Sequence, residues 1–419
     1  MNIPELLIPA GSMESLKTAV LYGADAVYLG GEAFGLRAKA KNFDRAQLKD
    51  GIAFAHQNGV RVHVTVNIIA HDNHLDGLEE YLLFLKEAGA DALIVADAGV
   101  IRICRRVVPD MELHLSTQAS ATNAETFAFW HEMGVKRIVC ARELSLEEIA
   151  HIRANTPETL QIEAFAHGAM CISISGRCLL SSYLSGRDSN LGMCSHPCRW
   201  KYSLMEESRP GEYFPITEGE EGTYIFNSKD LCMIEYLPEL IKAGVCSLKI
   251  EGRMKTPLYV AMVCRAYRQA LDDLKKDPAL YEAGKPLYKQ MLSLVSHRDY
   301  TTGFYLGQPG PADQIYDSAS YIKQVEFAGK VLENNPSTNE IFIEQRGKFL
   351  KGETLYLIPP SERAVPSAAL NLLPIPVTYI RREDGTFAED APHAQEHLYI
   401  PATDAPSIQE GSILVKYIK

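Results

Sequence analysis

The chain has 419 residues, enough for one large domain and a smaller companion. Its 46% apolar and 23% charged content fits a water-soluble globular fold, and no apolar run approaches the ~20 residues that span a bilayer. A formal net charge of −11 excludes wholesale coating of nucleic acid but leaves room for a local basic face. The start, Met1-Asn2-Ile3-Pro4-Glu5, lacks the basic and apolar regions of a secretion signal. The expected location is therefore cytoplasmic, with no membrane partner. There the nine cysteines serve as thiols or ligands rather than as disulfides.

In chain order, short apolar or β-branched runs alternate with helical patterns. The runs cover 5–11, 26–31, 61–67, 92–97, 112–118, 137–142, 161–166 and 247–252. Helical patterns fit between them, among them 13–22, 75–88 and 124–133. Ser12 is a suitable N-cap for the first. Gly23, Gly59, Gly89, Gly134 and Gly244 each stand just before a strand, where a helix C-cap would feed the next parallel strand. Eight such units predict a (β/α)8 barrel of the TIM type in preference to an open doubly wound sheet. The last barrel helix is expected at 258–274, and Lys275-Lys276-Asp277-Pro278 marks a break. Residues 286–318 read as an irregular connector. From 320 onward the pattern turns to short strands at 325–332, 340–345, 353–358, 376–381, 397–400 and 412–417, with Asp384-Gly385 as a hairpin turn. The expected organisation is a barrel over 1–275 with a cysteine-bearing insertion at 167–246, a connector at 276–319, and a small all-β barrel at 320–419.

Barrel active sites lie at the C-terminal strand ends. There the sequence places Gly11, Gly30, Gly31, Asn67, Asp97, Ser116, Thr117, Gln118, Arg142, Glu143, His167, Glu251 and Arg253. His167, Asp97 and Glu251 are the candidate acid–base groups. Glu143 and Glu163 are alternatives, and any of these carboxylates could equally be a charge partner for an arginine. Arg37, Arg142, Arg177 and Arg253 are candidate clamps for a carboxylate, because the planar guanidinium binds it through two parallel hydrogen bonds. Two basic segments flank the pocket and suit phosphates: Arg177, Arg187, Arg199 and Lys201 in the first, Lys242, Lys249, Arg253 and Lys255 in the second. The run from Arg265 to Lys276 reads as a solvated helix face.

Five cysteines, Cys171, Cys178, Cys194, Cys198 and Cys232, stand in polar, Gly/Ser-rich sequence. The gaps between them are six, fifteen, three and thirty-three residues, looser than the pairs of a zinc ribbon. Thiolates gathered in this way suit zinc or an iron–sulfur cluster, and composition does not separate the two. Cys104, Cys140, Cys246 and Cys264 fall in apolar patterns and read as core. His167 and Cys171, four residues apart, would share one face of a helical turn and could form a thiol–imidazole pair. His63, His71, His74 and His114 follow no metal-ligand spacing.

The stretch from Glu163 to Cys178 (EAFAHGAMCISISGRC) resembles the signature of the collagenase-like peptidases, family thirty-two among peptidases of unknown type. The resemblance extends to Pro9-Ala10-Gly11, to 26–30 with Phe34-Gly35-Leu36-Arg37, to Asn227-Ser228-Lys229-Asp230-Leu231-Cys232, and to 249–255. Members of this family include proteins that hydroxylate tRNA, ribosomal RNA or a ubiquinone precursor. The tRNA branch resembles the chain most in length, in the 227–232 motif and in its C-terminal β domain. That resemblance implies a 4Fe–4S cluster held by Cys171, Cys178, Cys194 and Cys232, with Cys198 able to exchange with Cys194. It further implies prephenate as co-substrate, the tRNA anticodon loop as partner, and 5-hydroxyuridine at the wobble position as product. An anticodon loop already presents its bases unstacked. A paralogous protein partner is compatible with the same branch. The alternatives are a peptidase, against which the absence of a His-Glu-x-x-His motif or a serine elbow counts, a scaffold that the cluster merely folds, and an oxygen-independent hydroxylase of ribosomal RNA or a ubiquinone precursor.

Overall fold

The computed structural model describes residues 2–35, 42–170, 229–309, 321–360, 372–402 and 408–418, together with four two-residue strand segments between 204 and 223. The calls on Arg37, Arg177, Arg187, Arg199, Lys201, Cys171, Cys178, Cys194 and Cys198 lie outside the described residues. By internal contacts the chain divides into two units. One contains 1–20, 24–255 and 298–321, and the other 21–23, 256–297 and 322–419.

The first unit is a closed parallel barrel. Its strands are β1 (Glu5–Pro9), β2 (Ala26–Gly30), β3 (Arg61–Val66), β4 (Ala92–Val95), β5 (Glu112–Leu115), β6 (Arg137–Val139) and β7 (Gln161–Gly168). Beyond β8 (Asp230–Cys232), β9 (Ser247–Ile250) pairs in parallel with both β7 and β1 and closes the ring. The crossovers run through α1 (Met13–Leu21), α2 (Arg45–Gln57), α3 (Leu78–Ala88), α4 (Ala98–Val107), α5 (Ala124–Glu132), α6 (Leu146–Ala154) and the short α7 (Leu237–Lys242). Local sequence sets their ends. Asp44 with Gln47 and Ser145 with Glu148 form capping boxes. Gly23, Gly59, Gly89, Gly134 and Gly244 all take positive φ between 72° and 103°, as the helix-to-strand reading requires. The helix expected from residue 75 starts later. Gly77 at φ 78° separates a 3₁₀ turn at Asp72–His74 from α3.

Strand alternation sends one set of side chains into the barrel, and here that set is charged. In most barrels of this type the interior is filled by branched apolar residues. Glu163, fully buried, receives Lys249 Nζ at 2.8 Å and Arg137 Nη1 at 3.1 Å. Ser247 Oγ donates to Glu163 at 3.1 Å and to Glu5 at 3.0 Å, and Arg137 also reaches Glu5. Burial alone would raise the Glu163 carboxyl, but Lys249 and Arg137 outweigh it and hold the group well below the usual range. The cluster ties β1, β6, β7 and β9 together across the seam. Removing one partner from such a set leaves an unpaired buried charge and costs about 3–5 kcal/mol. Lys249, read from sequence as part of a phosphate-holding segment, is thus an interior ion-pair member. Above the network Leu7, Ala26, Tyr28 and Ile94 form a separate apolar layer.

β8 does not belong to the ring. It lies antiparallel to the end of β7, pairing Leu231 with Gly168 and Cys232 with His167. β10 (Tyr300–Thr301) continues this extension, with Tyr300 opposite Asp230.

In the second unit α8 (Pro257–Lys276) packs on α9 (Pro278–Leu294). α9 occupies much of the segment read as a connector. Pro286 removes one helical hydrogen bond, but buried Tyr281, Leu287, Tyr288, Met291 and Leu292 supply the apolar face that keeps the helix. The run from Arg265 is solvated at its end, Lys275 and Lys276, but not at its start: Arg265 donates to the Pro359 carbonyl at 2.9 Å, and Arg268, 9% exposed, pairs with Asp272 at 2.6 Å. The remainder is antiparallel: β11 (Val325–Asn335), β12 (Glu340–Gln345), β13 (Phe349–Leu350), β14 (Thr354–Ile358), β15 (Leu373–Pro376), β16 (Ile380–Arg382), β17 (Phe387–Ala388), β18 (Asp390–Ala391), β19 (His397–Pro401) and β20 (Ile413–Tyr417). Eight of these form one sheet in the order β15-β14-β20-β11-β12-β19-β16-β17, around a core that includes Val331, Ile343, Leu357 and Ile400. The expected strand at 376–381 is split in two. Pro374 and Pro376 confine β15 to the sheet edge, and the chain turns at 377–379 before β16. Asp384-Gly385 makes the predicted turn, with Gly385 at φ 86°. Cys104, Cys140 and Cys264 are core residues, whereas Cys246 is exposed, because it opens β9 at the barrel's N-terminal end.

His63 and His114 stack edge-on in the interior at 4.7 Å, and neither ring nitrogen of His63 has a partner. Burial, reinforced by Arg137 and Arg61 and opposed by Glu5 and Glu163, lowers the His63 pKa from 6.5 to about 4. As pH falls across that window, the unfolded chain takes up a proton that the folded barrel refuses. Stability should therefore decline on acidification, by about 1.4 kcal/mol per pH unit for one proton. Glu163, depressed in the fold, acts in the same direction. His63→Gln should flatten the stability slope between pH 6.5 and 4.5, measured by urea unfolding at stepped pH.

Candidate functional site at the barrel mouth

The loop after β9 closes over the C-terminal mouth, and glycines on three strands make room for it. A β-carbon on Gly11 would lie 1.9 Å from the Arg253 carbonyl oxygen, one on Gly30 2.4 Å from Arg253 Nη2, and one on Gly168 2.6 Å from the Glu251 carbonyl oxygen. Arg253 is 8% exposed, and its Nη2 donates to Asn42 at 3.0 Å. Glu251 is fixed through its backbone, donating to the His167 carbonyl at 2.9 Å, while Tyr28 Oη donates to the Ile250 carbonyl at 2.9 Å and reaches Glu251 Oε2 at 3.4 Å. Arg142 lies over the Phe165 ring at 4.0 Å, and Lys249 lies over the Tyr28 ring at 4.5 Å. Asn67 donates to Gln118 at 2.8 Å, and Ser116 joins them at 3.2 Å. The mouth therefore combines cations stacked on aromatic rings with fixed amide and hydroxyl groups, a set suited to a small anionic ligand.

Beside this wall the β7–β8–β10 extension gathers His167, Cys232 and Tyr300. His167 is 1% exposed, and its ring centroid stands 5.4 Å from that of Tyr300. Cys232 is the register partner of His167, and its thiol is half-buried and unbridged. Burial, then Cys232 and Asp230, raise the Tyr300 phenol far above its usual value, so it stays protonated. Tyr305 Oη secures the same edge by donating to the Phe165 carbonyl at 2.7 Å.

The sequence-chosen residues divide accordingly. His167, Glu251, Arg142, Arg253 and Cys232 stand at the mouth. Asp97 instead caps α4, its Oδ1 accepting the Val100 N–H at 3.0 Å, because a short carboxylate before a helix is captured by the open backbone donors. Glu163 belongs to the interior network. His167 lies in extended β7 just before Gly168 at φ 108°, not on a helical turn, and its expected partner Cys171 lies outside the described residues. Tyr300 escaped notice because a two-residue strand carries no periodicity.

The fold and its mouth define a (β/α)8-barrel protein with an appended β domain, and the chain belongs to peptidase family U32: that family's model matches residues 11–315, and the model of the U32 C-terminal domain matches 323–414. Among curated relatives it is 42% identical to tRNA hydroxylation protein P1 of Bacillus subtilis, over 85% of this chain and 84% of that one. It is 38% identical to tRNA hydroxylation protein P of Escherichia coli, over 85% and 86%. It is also 40% identical to the 23S rRNA 5-hydroxycytidine C2501 synthase of E. coli, over 76% of this chain and 47% of that protein.

Gly168 ends β7 and lies against the Glu251 carbonyl. Gly168→Ala should strain a positive-φ position and push the Glu251 carbonyl away, lowering stability by about 1–3 kcal/mol in thermal melts.

Proposed function

We propose that this protein hydroxylates RNA, and specifically converts the wobble uridine of tRNA to 5-hydroxyuridine with prephenate as co-substrate and a 4Fe–4S cluster as cofactor. The observation that carries the reading is the register pair of Cys232 with His167. It brings the far end of the cysteine-bearing insertion back to the strand from which the insertion departs, at the mouth of the barrel. Relatives named as tRNA hydroxylation proteins over 84–86% of their length support the substrate class.

The donor chemistry fits the cofactor: the one candidate ligand among the described residues is an unbridged thiol at the site. Cys171, Cys178, Cys194 and Cys232 would hold the cluster, which when bound supplies electrons or an exposed iron. Arg253 and Arg142 would grip the carboxylates of prephenate. His167, buried beside Cys232 and Tyr300, would hold a proton next to the reacting partners.

Nucleoside mass spectrometry of tRNA from a deletion strain should show loss of 5-hydroxyuridine and its derivatives, restored by the wild-type gene. Unchanged levels, in a strain without a paralogue, would rule the reading out. Protein purified without oxygen should contain about four irons per chain. Cys232→Ala should lose them while Cys104→Ala keeps them, by iron assay and visible absorption.

A further inference from the structure

A helix on the outside of a barrel turns its apolar side chains inward and its polar ones to water. α5 departs from that rule. Phe127 is its one buried residue, while Phe129 is 51% exposed and Met133, at the C-cap, 46%. Four residues apart, the two share a face, and the half-buried Trp130 packs edge-on against Phe129 at 5.1 Å between ring centroids. Charges of opposite sign border this strip. On α4, the buried Ile101 and Cys104 set Arg102 and Arg106 on the outward side. Arg105 ties that helix to the end of α5 by donating to the Gly134 carbonyl. On the other flank α5 packs on α6, and His131 bonds Thr159, just beyond α6, at 3.1 Å. Glu132 follows His131 on that flank, and both it and Glu147 of α6 are exposed.

Across this face the order is basic, apolar, acidic. A partner that fits must present acidic, apolar and basic groups in turn, and the same face rotated about a two-fold axis along the apolar strip does so. A nucleic acid would be repelled by the acidic edge. We propose that the outward face of α4, α5 and α6 is the interface with a second copy of this chain. The two α5 helices lie parallel, anchored by Phe129 and Met133, and the basic edge of each copy meets the acidic edge of the other. The helices run alongside the barrel strands, so this arrangement leaves both mouths open toward one side. Three helices of nine or ten residues present a face of roughly 25 Å by 14 Å. That is the small end of specific interfaces, so the dimer is reversible and depends on concentration. Neither the anchors nor the edge charges take part in the reaction proposed above.

The test is sedimentation velocity of the full chain across a concentration series, paired with thermal melts. Wild type should sediment as a monomer when dilute and increasingly as a dimer as concentration rises. Phe129→Ser combined with Met133→Ser should stay monomeric at the same concentrations, with a melting temperature close to that of wild type because both residues are exposed. The charged edges test the orientation. Arg102→Glu with Arg106→Glu in one variant, and Glu132→Lys with Glu147→Lys in another, bring like charges together, so each alone should dimerise about tenfold more weakly or worse. Mixed in equal amounts, these two variants should form a heterodimer about as readily as wild type associates with itself. If either double variant melts lower, the single changes Arg102→Glu and Glu132→Lys replace it in the same mixing experiment. Wild type that stays monomeric throughout would overturn the proposal and leave the face to a partner of other sequence. A dimer that persists in the Phe129 and Met133 variant would overturn it by placing the contact elsewhere. Folded charge variants that do not pair with each other when mixed would overturn it as well.

Discussion

A carboxylate sealed inside the barrel, Glu163, holds the seam of this fold. Its two oxygens are shared among Lys249, Arg137 and Ser247, and Ser247 and Arg137 pass the contact on to Glu5. A barrel closes only where its last strand meets its first, and these residues stand on the strands that make that closure. Apolar side chains of similar size could stabilise the interior as well or better, since desolvation consumes much of what a buried ion pair gains. What the charges add is selectivity of register. A slip of one residue in β7 or β9 would turn Glu163 or Lys249 outward and leave the other cation and carboxylates unpaired in a dry interior. The same network fixes the height at which Phe165, His167 and the 251–253 loop emerge at the mouth.

The mouth is built from what those strands carry two and four residues later. Phe165 follows Glu163 on the inward face of β7, and a register shift against β9 then sets His167 opposite Ile250, with Glu251 following beyond β9. The glycines at 11, 30 and 168 are the other half of the construction: the loop after β9 can lie across the strand ends only where no β-carbon blocks it. The site thus owes its shape as much to missing side chains as to those present.

The β7–β8–β10 extension joins this rim to the cysteine-bearing insertion. Pairing Cys232 with His167 needs only three residues of β8, yet it determines where a thiol more than sixty positions further along the chain comes to rest. Such a contact has no local signature. Its energy comes from a few backbone hydrogen bonds and from the burial of Leu231 and Met233, and neither is visible as a periodic pattern.

The sequence by itself determined the eight strand–helix units, the glycines that end the helices, the β-rich C-terminal region and the rim positions of Arg142, His167, Glu251 and Arg253. These follow from periodicity, capping and the rule that barrel chemistry gathers at C-terminal strand ends, all readable within a few residues. It also carried the family signature. Only the tertiary structure decided which carboxylates are structural. Asp97 and Glu163 look alike in a string of letters, yet one caps a helix and the other neutralises two buried cations. It decided likewise that the arginines at 265 and 268 face protein rather than water, and that 278–294 is a helix despite its proline. Each of these depends on a partner far away in the chain. Burial and pairing are properties of the folded neighbourhood, whereas propensity and spacing are properties of the chain.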